Sequence, residues 1–324
     1  MSHILILAPP PPHHVTVTRL SDLDQSWSSL PNHFQETPAT DFAFSSPFQC
    51  FTPASAVHFK HVCETYYNTP SEYSTARTSA CLRGCPRLEQ AVLHCKAGLE
   101  SIATRLVGQK LSLHAMHYEW AHVNVQRKAQ QRPVDDWHMD SMPFVLVTVL
   151  TTHDQDTGGS LVVQSPNNST PPVRCKLRYP GESILMQGSH IRHKAEPSAT
   201  GERLTLVTSF VLDSCATYDS SSIRMAVQYT PEVDCIDQYL HHAMARFARV
   251  EKGNTCSAVT VEIEKVRNAR EEIAEIVGYD RKKCSNPELI AAFDRWAAVN
   301  DVLGMWLLTR KNCTTVRRDL ESKM

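Results

Sequence analysis

The chain has 324 residues, 42% of them hydrophobic and 21% charged, enough to bury one large core or two modest ones. A formal net charge of -1 supplies no global field toward nucleic acid or an anionic membrane, so neither is expected as a partner, which leaves a small-molecule substrate open. The 11 cysteines include no CxxC pair, which argues against a disulfide framework or zinc knuckle and for a reducing, cytoplasmic setting.

The opening MSHILILAPPPPHH holds an apolar run too short for a signal-peptide core, and no stretch approaches membrane-spanning length. Short strands are expected at His3 to Leu7 and Val15 to Arg19, separated by a proline stop. Thr52 can cap a helix that has Pro53 at its first position and runs toward Tyr67. Pro86 begins a second helix, in which Leu88, Val92, Cys95, Leu99, Ile102 and Leu106 recur at helical spacing and Gly108 follows the last turn.

From Leu111 the period switches to strands: LSLHAMHY, AHVNVQR, PFVLVTVLTT, SLVVQ, VRCKLRY, ESILMQG, SHIRHKA and ERLTLVTSFVL, with turn residues between them. Such a series of short strands predicts a jelly-roll sandwich or barrel. The run Phe144 to Leu150 is apolar at both parities, so its sheet is expected to be covered on the outer side as well, by the N-terminal helices. After Ser221 three segments carry helical apolar stripes, suited to packing on the sheet, with a homodimer interface or a lid over the barrel mouth as the alternative. The reading is an α+β chain with a mainly β core: supporting strands and helices over 1–110, a catalytic core over 111–215 and a helical extension over 216–324.

One short stretch, WHMD, carries the chemistry. Residues two apart on a strand share a face, so His138 and Asp140 are expected to point together into the barrel. An HxD pair alone is weak in a chain with 16 His. A mononuclear non-haem iron site needs one more imidazole and leaves three coordination positions open. The later segment HKAEPSATGERLT supplies His193, with Arg203 ten residues on and Thr205 at twelve. His190 competes as the distal ligand, but it lies three residues from His193 and breaks the spacing to Arg203.

Taken together, these segments resemble the signature of the Fe(II)/2-oxoglutarate-dependent oxygenases, across roughly Leu111 to Leu212. The resemblance implies a double-stranded β-helix of the jelly-roll or cupin type. It implies Fe(II) held by His138, Asp140 and His193, with 2-oxoglutarate and O2 as co-substrates. It also implies that Arg203 pairs with the far carboxylate of 2-oxoglutarate, beside the hydroxyl of Thr205. Asn124 and Gln126, on one face with His122, are candidates for hydrogen bonds to the co-substrate or to the ligands of the iron. His122, Met142, Phe144 and Gln187 are candidates for the substrate pocket, with a core role as the plain alternative for Met142 and Phe144. Trp137 has the opposite parity and is expected to pack outside the barrel.

Gly158-Gly159 serves as a tight turn and matches paired glycines frequent in the family. Asp140 stands where glycine or alanine would leave room for halide, which disfavours halogenation. The phrasing NVQ, WHMDSMPFVLV, GGSL, LMQGSHIRH and GERLTLVTSF resembles fungal oxygenases that tailor amino acids and secondary metabolites. The implied activity is oxidation of a substrate C–H bond by hydroxylation, desaturation or oxidative cyclisation. The other readings are a cupin-like binding protein with a vestigial metal site, a zinc hydrolase on the same triad, and an oxygenase acting on protein or nucleic acid. The final Ser322-Lys323-Met324 resembles a peroxisomal address and sets peroxisomal location as the alternative to cytoplasmic.

Overall fold

A computed structural model describes residues 15–23, 40–67, 81–82, 84–127, 136–151, 159–164, 171–196, 202–213, 221, 232–247 and 257–309. The strand expected at 3–7 and the tripeptide at 322–324 lie outside these residues. The chain divides into two compact units: residues 1–113 with 117–211, and residues 114–116 with 212–324.

In the first unit the chain forms strands β1 (Val17–Arg19), β2 (Phe42–Ser45) and β3 (Phe48–Gln49), then helix α1 (Pro53–Tyr67). The Thr52 hydroxyl accepts from the Ser55 amide at 3.2 Å, so the expected cap is in place ahead of Pro53. Strand β4 (Cys81–Leu82) precedes two helices, α2 (Pro86–His94) and α3 (Lys96–Val107), where the sequence predicted one. The break falls at Cys95, whose amide bonds back to Val92 O and whose ψ is near 0°, enough to offset the two helices without losing the apolar stripe. Gly108 closes α3 in the left-handed region at φ 77°, donating its amide to Thr104 O.

The remaining strands are β5 (Leu111–Leu113), β6 (His122–Arg127), β7 (Phe144–Val149), β8 (Leu161–Gln164), β9 (Val173–Cys175), β10 (Glu182–Met186), β11 (Arg192–Ala195) and β12 (Glu202–Leu212). They pair antiparallel in two sheets. The larger has the order β1-β2-β10-β7-β12-β6-β4, with β3 also on β10 and β5 also on β12; the smaller is β11-β8-β9. From β7 onward the chain alternates between them, to β8 and β9 in the smaller, back to β10, out to β11 and back to β12. That is the wiring of a jelly roll. Every residue of β7 is buried, as its apolar run at both parities predicted, and it sits between β10 and β12.

The second unit contains α4 (Glu232–Phe247), α5 (Ser257–Ile276) and α6 (Pro287–Thr309), with α6 in contact with both others. Trp296 is fully buried, donates its indole N–H to Val266 O at 3.1 Å and stacks on Tyr239 at 5.7 Å between ring centroids. Replacing it with alanine removes a large buried side chain, at about 3–5 kcal/mol. A urea unfolding curve of Trp296→Ala should show that loss, and a midpoint unchanged from wild type would contradict it. No helix among the described residues is long and apolar enough to cross a membrane.

Candidate active site

His138 and Asp140 do not sit on a strand as the sequence predicted: β7 begins only at Phe144. They lie on the irregular segment before it, which backbone hydrogen bonds fix at two points. His138 forms an antiparallel bridge with His193, N to O at 3.0 Å one way and 2.9 Å the other. The Asp140 amide donates to Gly188 O at 2.9 Å. The bridge brings the two imidazoles together directly, and the second bond swings the carboxylate in beside them.

The ligand atoms of His138, Asp140 and His193 all lie within 4.8 Å of one another, and this is the only such His/Cys/Asp/Glu group among the described residues. His138 Nε2 is 3.7 Å from Asp140 Oδ1 and His193 Nε2 is 3.5 Å from Asp140 Oδ2. Ligands about 2.1 Å from a shared ion stand roughly 3–4 Å apart, so the spacing suits one metal. Each imidazole is also oriented from behind. Nδ1 of His138 donates to Asp136 O at 2.7 Å and Nδ1 of His193 to Ile191 O at 2.8 Å. A carbonyl can only accept, so the proton is held on Nδ1 and the Nε2 lone pair faces the metal position.

Gly188 leaves the space that Asp140 occupies. A Cβ built there would overlap Asp140 Oδ2 and stand 3.0 Å from Val145 Cγ2. Gly188→Ala must therefore push the carboxylate out of line, and the affinity for Mn(II) or Zn(II) is expected to fall about tenfold or more while the fold survives. An unchanged metal titration would show that the carboxylate has room to spare.

The triad opens into a cavity of about 490 Å³, counting the part open to solvent, lined also by His122, Asn124, Val147, Leu161, Ala195, Arg203, Thr205 and Val207. Arg203 is 2% exposed, and its Nε and Nη2 have no hydrogen-bond partner. Burial lowers its pKa to about 10, which still leaves it charged at neutral pH. A buried cation whose donors are unmet is a poor structural element and a good receptor for a carboxylate. Thr205, on the same face two residues on, is buried beside it and stands opposite Asn124 of β6. These residues fit 2-oxoglutarate: a metal triad for a keto acid at one place in the cavity and an unpaired guanidinium for its far carboxylate at another.

Other expected site residues lie elsewhere. His190 is buried with its Nδ1 on Ser189 Oγ at 2.8 Å and is outside the triad. Met142 and Phe144 are buried but do not line the cavity; Phe144 stands opposite Phe210 and tilts against Phe42 at 6.4 Å. Gln187 spends its amide on the backbone ahead of and within β2, donating to Phe42 O at 2.6 Å. Gln126 is buried opposite Arg203 without lining the cavity. Trp137 carries Lys194 Nζ over its ring at 4.6 Å, away from the cavity wall. The sequence reading missed Val147, Leu161, Ala195 and Val207. Parity was the signal: Ala195 is two beyond His193 and Val207 two beyond Thr205.

No protein-family model matches the chain. No curated protein matches it in sequence. Among solved structures it is similar to the non-haem alpha-ketoglutarate-dependent carbocyclase SnoK from nogalamycin biosynthesis, at 14% identity and TM-score 0.42 over 58% of this chain and 87% of that one. It is similar also to the non-haem alpha-ketoglutarate-dependent epimerase SnoN from the same biosynthesis, at 15% identity and TM-score 0.40 over 50% and 74%. A prolyl-4-hydroxylase from Pseudomonas putida matches at 14% and 0.36 over 50% and 89%. At these values the likeness carries no argument about activity, and the functional conclusion rests on the side chains just described.

Proposed function

We propose that the chain is a non-haem Fe(II)/2-oxoglutarate-dependent dioxygenase that oxidises a C–H bond of a small metabolite, in fungal amino-acid or secondary-metabolite biosynthesis. One observation carries the reading: two oriented imidazoles and a carboxylate converge in the same cavity as a buried, unpartnered guanidinium.

His138 and His193 add no charge and Asp140 adds one negative charge, so the three leave a divalent ion net positive, with positions open to an anionic keto acid. The absence of thiolate from the set suits iron in its ferrous state. Arg203 offers a planar fork to the far carboxylate, and the Thr205 hydroxyl and the Asn124 amide flank it as further donors. When bound, Fe(II) with 2-oxoglutarate and O2 supplies the oxidising power for C–H cleavage, leaving succinate and CO2. Val147, Leu161, Ala195 and Val207 give the cavity apolar wall that limits water and holds a hydrocarbon segment against the metal position. Where they hold it decides between hydroxylation, desaturation and ring closure.

The test is succinate formation. Protein reconstituted with Fe(II) should convert 2-oxoglutarate slowly in air, faster with a fitting metabolite from a panel of amino acids and small acids, and not at all without oxygen. Absence of succinate under every condition, or activity retained in zinc under nitrogen, would overturn the reading.

A further inference from the structure

The cavity-lining face of the larger sheet is tiered. Across β6 and β12, Arg203 stands opposite Gln126, Thr205 opposite Asn124 and Val207 opposite His122; Val207 also stands opposite Val147 of β7. His122 is thus four residues from the level of Arg203, roughly 13 Å along the strands. A five-carbon dicarboxylate spans only about 5 Å between its terminal carbons at roughly 1.5 Å per bond. A co-substrate seated on Arg203 therefore leaves the level of His122 to a second molecule. Its two carboxylates also offset Arg203 and the net charge of the metal site, and Arg203 is the only Lys or Arg among the described residues that line the cavity.

Behind His122 lies Glu119, on the single 3-10 turn His117–Glu119. Its side chain is 1% exposed and its Oε2 is 3.7 Å from His122 Nδ1. A carboxylate this far from water is kept beside a proton donor. A carboxylate beside an imidazole favours its protonated form, and in that form His122 is a positive, hydrogen-bond-donating patch in a wall formed nearby by Val147 and Val207.

We infer that His122, positioned by Glu119, anchors a carboxylate of the substrate, so that the oxidised molecule is a small organic acid whose apolar part lies along Val147 and Val207. This rests on the oxygenase reading of the same cavity and names the substrate class.

The test uses the full chain loaded with Zn(II) and saturating 2-oxoglutarate, so that the metal and Arg203 are occupied, and titrates matched probes by ligand-observed NMR: butyrate against butyramide, and benzoate against benzamide. The acids should bind roughly tenfold tighter than their amides. The ratio should fall to near one in His122→Gln and drop partway in Glu119→Gln, with 2-oxoglutarate affinity little changed in both. Equal binding of acid and amide to the wild type, or a ratio that survives His122→Gln, overturns the inference while the oxygenase reading stands. Should 2-oxoglutarate itself fail to bind, the oxygenase reading falls, and the same ratio measured in metal-free Arg203→Leu, with and without His122→Gln, decides for or against His122. If His122→Gln does not fold, Glu119→Gln carries the test, and a ratio unchanged there overturns the positioning role.

Discussion

Arg203→Leu is expected to stabilise the ligand-free protein and cripple its binding of 2-oxoglutarate. In the free state the guanidinium is buried with Nε and Nη2 unpartnered, and burial has already lowered its pKa to about 10. Replacing a buried, uncompensated charge with the shorter apolar leucine removes a desolvation penalty of several kcal/mol, which outweighs the smaller cost of the space it vacates. Losing one partner of a buried charge pair costs the complex about 2–5 kcal/mol, which is roughly 30-fold or more in affinity. Thermal melts with and without 2-oxoglutarate separate the two effects. The wild type should gain more from the ligand than Arg203→Leu, and the variant should start higher. A variant that melts lower when ligand-free and binds 2-oxoglutarate normally would mean that Arg203 is a structural residue.

Alanine at His138, Asp140 or His193 is expected to abolish succinate formation and to weaken Mn(II) binding by roughly 100-fold or more, because each removes a ligand from a three-ligand set. The geometry makes the three unequal in one respect. His138 and His193 are bridged through their backbones, which stay bonded when a ring is cut away, so both variants should keep the fold. His190→Ala is the control. Its ring bonds to Ser189 and stands outside the converging atoms, so metal binding should persist. Activity retained in His193→Ala and lost in His190→Ala would reverse the ligand assignment.

Most of the strands from β6 to β12 were legible as short apolar or alternating runs between turn residues, the polar β9 (VRC) and β11 (RHKA) through their place in that series, and β7 announced its two covered faces by being apolar at both parities. The metal residues were legible through spacing, but the stated reason for their meeting was mistaken. A strand's two-residue period was applied to WHMD, whereas the chain bends through Ser141–Pro143 and enters β7 only at Phe144. The same bend explains why Met142 and Phe144 miss the cavity: parity counted from Asp140 does not survive it, while Val147 reaches the cavity wall. Gly188 and Glu119 were invisible for a different reason. One matters through the space it leaves beside a carboxylate 48 positions earlier in the chain, the other through an imidazole it backs from a 3-10 turn, and neither leaves a local periodic mark. Cys95 shows the limit of stripe reading, since α2 and α3 keep one apolar face across a break that spacing alone cannot register.

The central claim is that one cavity holds both a ferrous ion and a keto acid. The most direct measurement is an anaerobic titration of metal-free protein with Fe(II) and then 2-oxoglutarate, followed in the visible. A broad charge-transfer band that appears only with both, and that weakens in Arg203→Leu at the same 2-oxoglutarate concentration, is the predicted result. No band at any concentration, in protein shown to bind one Fe(II), would contradict the claim and leave a metal-binding barrel without the oxygenase chemistry.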